Sequence, residues 1–177
     1  SVVAKNWLLD PQNVTIDATN AGTIGTNLRT TSITIQTTGT TLGTTSAGTG
    51  NITVNSAITK AAPISPDSAQ DTTLTLLADN GITVNAAIGT AAGAGKLNVV
   101  MTANGQTDGV AVGDMTAAQR AASQGVFINN TSINANGGDV TLTGTSYANS
   151  TVQANGVGKG VLIHNGSSIS ARNITIT

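Results

Sequence analysis

The sequence contains no cysteine and no glutamate, and its only aromatic residues are Trp7, Phe127 and Tyr147. Without cysteine, disulfides and thiolate chemistry are ruled out, and so is a small module stapled by cross-links. Three rings cannot build a bulky aromatic core. Charge is scarce too: 8% of residues are charged, and the formal net charge is -1. The seven basic residues are scattered, whereas nucleic acid and anionic membranes demand clustered Lys and Arg. No apolar run approaches the roughly 18 residues of a membrane helix. The opening stretch from Ser1 to Trp7 lacks the basic-then-apolar build of a signal peptide. The expectation is a chain with no nucleic-acid partner, no membrane insertion and no cofactor.

What the chain does have is 38% hydrophobic residues arriving in one recurring phrase, aliphatic then small polar then aliphatic. It reads Val14-Thr15-Ile16, Ile33-Thr34-Ile35, Ile52-Thr53-Val54, Leu74-Thr75-Leu76, Ile82-Thr83-Val84, Leu97-Asn98-Val99, Val140-Thr141-Leu142 and Ile174-Thr175-Ile176. Such alternation points the aliphatics to one face of a strand and the polar residue to the other. Its regular return marks a stacked repeat. Threonine suits the outward positions, being both β-branched and polar.

Val14, Ile33 and Ile52 are spaced by 19 residues, and Leu74 and Leu97 by 23. Two longer matches give a register. Gly50 to Ile58 resembles Asn80 to Ile88 thirty positions on, and Gly125 to Asn130 resembles Gly160 to Asn165 thirty-five positions on, with Ile133 matched by Ile169 thirty-six on. Each unit then holds two or three short strands separated by Gly, Asn, Asp or Ser, residues that accept sharp corners. The fold expected is all-β, a parallel β-helix formed by residues 1–177 as a single segment of something longer. Roughly eight coils at about 4.8 Å each give a rod on the order of 40 Å. Asn55 and Asn85 fall at equivalent corners, where stacked amides form ladders. An uncapped end of such a stack exposes edge groups and favours end-to-end association.

The phrase fails in three intervals, read as insertions at 60–73, 101–124 and 143–159. The first contains Pro63 and Pro66 and cannot join a central ladder. The second includes a short helix near 114–122, with Asp114 or Thr116 as N-cap. The third is read with a strand around Val152. Loops on a rigid scaffold are where binding specificity normally sits. Asp67, Asp71, Asp108, Asp114 and Arg120 are therefore the candidate binding residues.

The run Trp7-Leu8-Leu9-Asp10-Pro11-Gln12-Asn13-Val14-Thr15-Ile16, with Gly50-Asn51-Ile52-Thr53-Val54-Asn55 and Thr73-Leu74-Thr75-Leu76-Leu77-Ala78, resembles the exoproteins of bacterial two-partner secretion. These include filamentous-haemagglutinin-like and high-molecular-weight adhesins and the contact-dependent inhibition proteins of similar build. The resemblance implies a right-handed β-helix downstream of a secretion domain, export through an outer-membrane transporter, and a place at the bacterial cell surface or in secreted form. It implies adhesion to a host-cell or neighbouring-cell receptor. It also brings glycosylation into view at the Asn-x-Ser/Thr triplets beginning at Asn13, Asn51, Asn129, Asn130, Asn149, Asn165 and Asn173. Their number is close to what the Asn, Ser and Thr content alone would give.

Catalytic signals are weak. His164 is the sole histidine and falls on the outward side of its strand. Ser167 and Ser168 lack a nucleophile elbow. Asp67, Asp71 and Asp79 are the nearest approach to the carboxylate group that a β-helical polysaccharide-active enzyme needs, but aspartate in Gly- and Asn-rich corners usually caps a turn. Gly156-Val157-Gly158-Lys159-Gly160 lacks the spacing and the Ser/Thr of a phosphate loop. Gly137-Gly138-Asp139 occurs once, and calcium-binding repeats need it in tandem. The function expected is that of a non-enzymatic adhesive segment. A toxin-delivery stick and a polysaccharide-active enzyme are the alternatives.

Overall fold

A computed structural model describes residues 6–9, 13–37, 50–65, 68–106, 112–147 and 158–177. The chain is mostly β and builds three parallel sheets. Strands β1 (Asn6–Leu9), β3 (Ser32–Gln36), β6 (Thr72–Ala78), β9 (Leu97–Ala103), β12 (Val140–Gly144) and β15 (Ile174–Ile176) form the six-stranded sheet in that order. The five-stranded sheet runs β2 (Val14–Ile16), β4 (Ile52–Val54), β7 (Ile82–Val84), β10 (Val126–Asn129) and β13 (Val161–His164). The four-stranded sheet runs β5 (Ile58–Lys60), β8 (Ile88–Thr90), β11 (Ser132–Asn134) and β14 (Ser168–Ser170). From β4 onward the chain visits the five-, four- and six-stranded sheets in turn, then begins again one strand further along each.

The recurring phrase sets this register. Inward aliphatics stack as Ile52, Ile82, Val126 and Val161 in one sheet, and as Ile33, Leu74, Val99, Val140 and Ile174 in another. Ile58, Ile88, Ile133 and Ile169 complete the set. Most of these side chains are at most 1% exposed. Each fully buried aliphatic contributes about 1.5–3 kcal/mol, so a core of small aliphatic columns needs no aromatic centre.

The matches at thirty and thirty-five positions are true pairings, Ile52 with Ile82 and Val126 with Val161. The 19-residue spacing is not. Val14 pairs with Ile52 and Ile33 with Leu74, in different sheets, so one round takes two intervals. Pairing in the five-stranded sheet recurs after 38, 30, 44 and 35 residues. Among the described residues the strands make five rounds rather than the expected eight, and the six-stranded sheet spans about 24 Å across its strands.

The insertions are shorter than their sequence bounds. Lys60 belongs to β5, and Thr72 and Thr73 belong to β6, which trims the first to 61–71. Met101 to Ala103 complete β9, with Met101 and Ala103 buried, so the second begins at 104. Thr143 and Gly144 extend β12. The strand expected around Val152 lies outside the described residues.

Helix α2 (Ala117–Ala121) occupies the expected place, with the Thr116 carbonyl taking the first helical bond from the Arg120 N–H. A second helix was not expected: α1 (Ala18–Asn27) stands in the first round where a strand of the four-stranded sheet would otherwise lie. Asp17 caps it, its carboxylate accepting from the Asn20 N–H at 2.9 Å. Ala21, Ile24 and Gly25 face inward, and the Gly25 carbonyl accepts from the Ala61 N–H at 2.9 Å. The helix thereby covers the edge of β5, which would otherwise present unpaired backbone groups.

Candidate functional site

Variation in length is concentrated at one corner. Between the five- and four-stranded sheets the links are 55–57, 85–87, 130–131 and 165–167. Asn85 Nδ2 donates to Asn55 Oδ1 at 3.0 Å, and Asn165 Nδ2 to Asn129 Oδ1 at 2.8 Å, the amide ladders expected at such corners. Between the six- and five-stranded sheets the links are 10–13, 37–51, 79–81, 104–125 and 145–160. The long links 37–51, 104–125 and 145–160 therefore leave from the same side of the stack, whereas 61–71 joins the four- to the six-stranded sheet.

A small polar network holds two of them together. Ser123 is fully buried, and its hydroxyl donates to the Gly105 carbonyl at 2.7 Å while accepting from the Tyr147 N–H at 2.7 Å. Ser146 donates to the Ser123 carbonyl at 3.0 Å and accepts from the Gly158 N–H at 3.1 Å. Asn80, 1% exposed, fastens the second insertion to the round before it. Its Nδ2 donates to the Ala122 carbonyl at 3.1 Å, and its Oδ1 accepts from the Gln124 N–H at 2.9 Å. Thr37 ties the start of 37–51 to its end by donating to the Gly50 carbonyl at 3.0 Å.

Phe127 stands in the outward column with Thr83 and Leu162, yet it is only 6% exposed, and Met115 in the 104–125 insertion is 5% exposed. The exposed His164 ring lies 6.3 Å from that of Phe127. An aromatic at an outward position was the signal in the sequence that something packs over it.

Among the described residues, Asp71 lies on a different link from Asp114 and Arg120. Asp67 and Asp108 lie outside the described residues. Asp71 is exposed at the start of β6, accepting from the Lys96 N–H at 2.9 Å with the Lys96 ammonium 3.9 Å away. Asp79 follows the far end of β6, about 26 Å of strand from Asp71, so the two do not meet. Asp114 is exposed at the end of a 3₁₀ turn (Val112–Asp114), and Arg120 on α2 donates from Nε to the Met115 carbonyl at 3.3 Å.

Of the Asn-x-Ser/Thr triplets, Asn149 lies outside the described residues. Asn13 and Asn51 accept from the backbone N–H groups of Asn51 and Gly81, at 2.9 and 3.0 Å. Asn129 and Asn165 bond each other, and Asn173 donates to Asp139 at 2.9 Å. Asn130 is exposed in a left-handed turn (φ 50°).

Two charged sites escaped the sequence reading. Lys60 is wholly buried, with Nζ donating to the carbonyls of Gln70 at 2.5 Å and Lys96 at 2.7 Å. Burial lowers its pKa, partly opposed by the Asp71 carboxylate. Asp139 receives both prongs of the Arg172 guanidinium, at 2.9 and 2.6 Å, which holds its carboxyl below the ordinary value with help from Asn173. Among the described residues no three metal-ligating side chains cluster. A cleft of about 210 Å³ between β2, α1 and β3 is lined by Asn13, Val14, Thr15, Ile16, Asn20, Ile24 and Ile35, none of them titratable.

No protein-family model, no curated protein and no solved structure matches this chain.

Proposed function

We propose that the chain is a stretch of right-handed parallel β-helix in an exported bacterial adhesin, carried to the cell surface by an outer-membrane transporter. The observation that carries this reading is the fixed cyclic order of strands through three parallel sheets with aliphatic columns in register. A stack of this kind lengthens without needing a larger core, which suits a surface filament. The phrases shared with two-partner-secretion exoproteins supply the export and adhesion parts of the proposal.

In this reading the contact region is the corner bearing 104–125 and 145–160, where Ser123 makes two insertions one unit. The test replaces 104–125 with the three residues that serve as link 79–81 and compares attachment of cells displaying each form. Attachment should fall while secretion and the β circular-dichroism spectrum hold, with a lower melting temperature from the loss of the Ser123 and Asn80 hydrogen bonds. Unchanged attachment would remove this corner from the reading, and secretion without a transporter would remove the export route.

A further inference from the structure

The outer face of the six-stranded sheet divides into columns with opposite chemistry. Along the column where the strands begin, the polar side chains from Ser32 onward are engaged. Ser32 Oγ accepts from the Thr73 N–H at 3.1 Å, Thr73 Oγ1 from Asn98 Nδ2 at 3.5 Å, and Asn98 Oδ1 from the Asp139 N–H at 2.9 Å, while Asp139 holds Arg172 and Asn173.

Two residues further along each strand the pattern reverses. Thr34, Thr75, Val100, Thr141 and Thr175 stand in register, and beside them Gln36, Leu77, Thr102 and Thr143. These residues are half-buried to exposed. The hydroxyls of Thr34, Thr75, Thr102, Thr141, Thr143 and Thr175 have no hydrogen-bond partner among the described residues, and neither column contains a charge. Neighbouring strands repeat Thr141-x-Thr143 and Thr175-x-Thr177. The result is a grid of methyl and hydroxyl groups spaced about 4.8 Å between strands and about 6.6 Å along them.

One such hydroxyl exchanges a water for a partner at little net gain. A useful contact must therefore engage many sites at once, which favours a rigid, periodic partner. With no charge in these columns the partner is neutral, and with no aromatic there is no platform for sugar rings. The methyls add apolar area to the same contact. We propose that this face binds ice, a neutral solid whose surface is a lattice of hydrogen-bonding groups. This inference stands apart from the adhesin reading and does not depend on it.

The test is partition of the purified chain into slowly grown ice, together with suppression of ice recrystallisation. The native chain should enter the ice and suppress recrystallisation. Thr75→Lys with Thr141→Lys should lose both properties, whereas Thr15→Lys with Thr83→Lys, on the five-stranded sheet, should keep them. If the first pair lowers the melting temperature, Thr75→Ser with Thr141→Ser removes only the methyls and should still weaken partition. Exclusion of the native chain from ice, equal behaviour of the two lysine pairs, full partition of the serine pair, or retention on an insoluble neutral polysaccharide but not on ice would each overturn the proposal. Cell attachment, read separately, reports on the adhesin reading alone.

Discussion

The ammonium of Lys60 donates to the carbonyl oxygen of Lys96 at 2.7 Å across two successive rounds, with none of the Lys60 side chain exposed. The same ammonium holds the Gln70 carbonyl, so one buried cation joins the 61–71 link to the 91–96 link beneath it. Lys60→Ala should lower the unfolding free energy by about 3 kcal/mol, because it leaves a cavity and takes the ammonium from the Gln70 carbonyl and from the Lys96 carbonyl, the latter keeping only the Thr72 N–H. Lys60→Met, which fills the cavity, should cost less. Denaturant titration of the two variants measures the difference.

Burial lowers the pKa of Lys60 in the folded chain, so between its folded value and the ordinary 10.5 the unfolded chain binds more protons. Stability attributable to this group therefore rises with pH across that window, which closes near 10.5. Melting curves from pH 8 upward should show the native chain gaining on Lys60→Met. A constant difference between the two would count against a buried, charged Lys60.

Asp139 has the same sign in a more acidic window. Its folded pKa lies below the ordinary 3.8, chiefly through Arg172, so its contribution is present above that value and is lost as pH falls through the folded one. Asp139→Asn should destabilise the chain at pH 6, with the gap to the native protein narrowing below pH 4. Acid titration followed by circular dichroism reads it directly.

Two glycines one turn apart in α1 should respond in opposite directions. A β-carbon at Gly22 meets nothing within 4 Å, so Gly22→Ala should stabilise the helix by about 1 kcal/mol. A β-carbon at Gly25 would lie 2.3 Å from the Thr59 carbonyl oxygen, so Gly25→Ala should force the helix off β5 at a cost of about 2 kcal/mol. Thermal melts of both variants decide it.

Ser123→Ala removes an acceptor for the Tyr147 N–H and a donor to the Gly105 carbonyl at a buried site. The expected loss is about 1–3 kcal/mol. Hydrogen exchange at Gly105 in one insertion and at Gly158 in the other should quicken together; acceleration in only one would mean the two insertions are not coupled.

The strand phrases were legible because alternation in each one states which side chains turn inward, and the paired matches at 50–58 and 80–88 supplied the register. Helix α1 was not legible. Its threonines and glycines are weak helix formers, and it is the close seating of Gly25 on Thr59 that selects the helix. Pro63 and Pro66 place Lys60 at the start of a loop in sequence, although Ile58-Thr59-Lys60 alternates like its neighbours. The carbonyls that satisfy it come from residues 10 and 36 positions away, beyond the reach of local reading. The candidate site residues were chosen by their place in interrupted intervals, whereas Ser123 and Asn80, which organise that corner, look like ordinary turn residues in sequence.

The corner between the six- and five-stranded sheets accepts links from 79–81 up to 104–125 without disturbing the strands on either side. For protein engineering it is a row of mounting points. Peptides grafted into successive rounds there would project from one edge at regular intervals set by strand pairing, and the cysteine-free background would let a single introduced thiol label each position in turn.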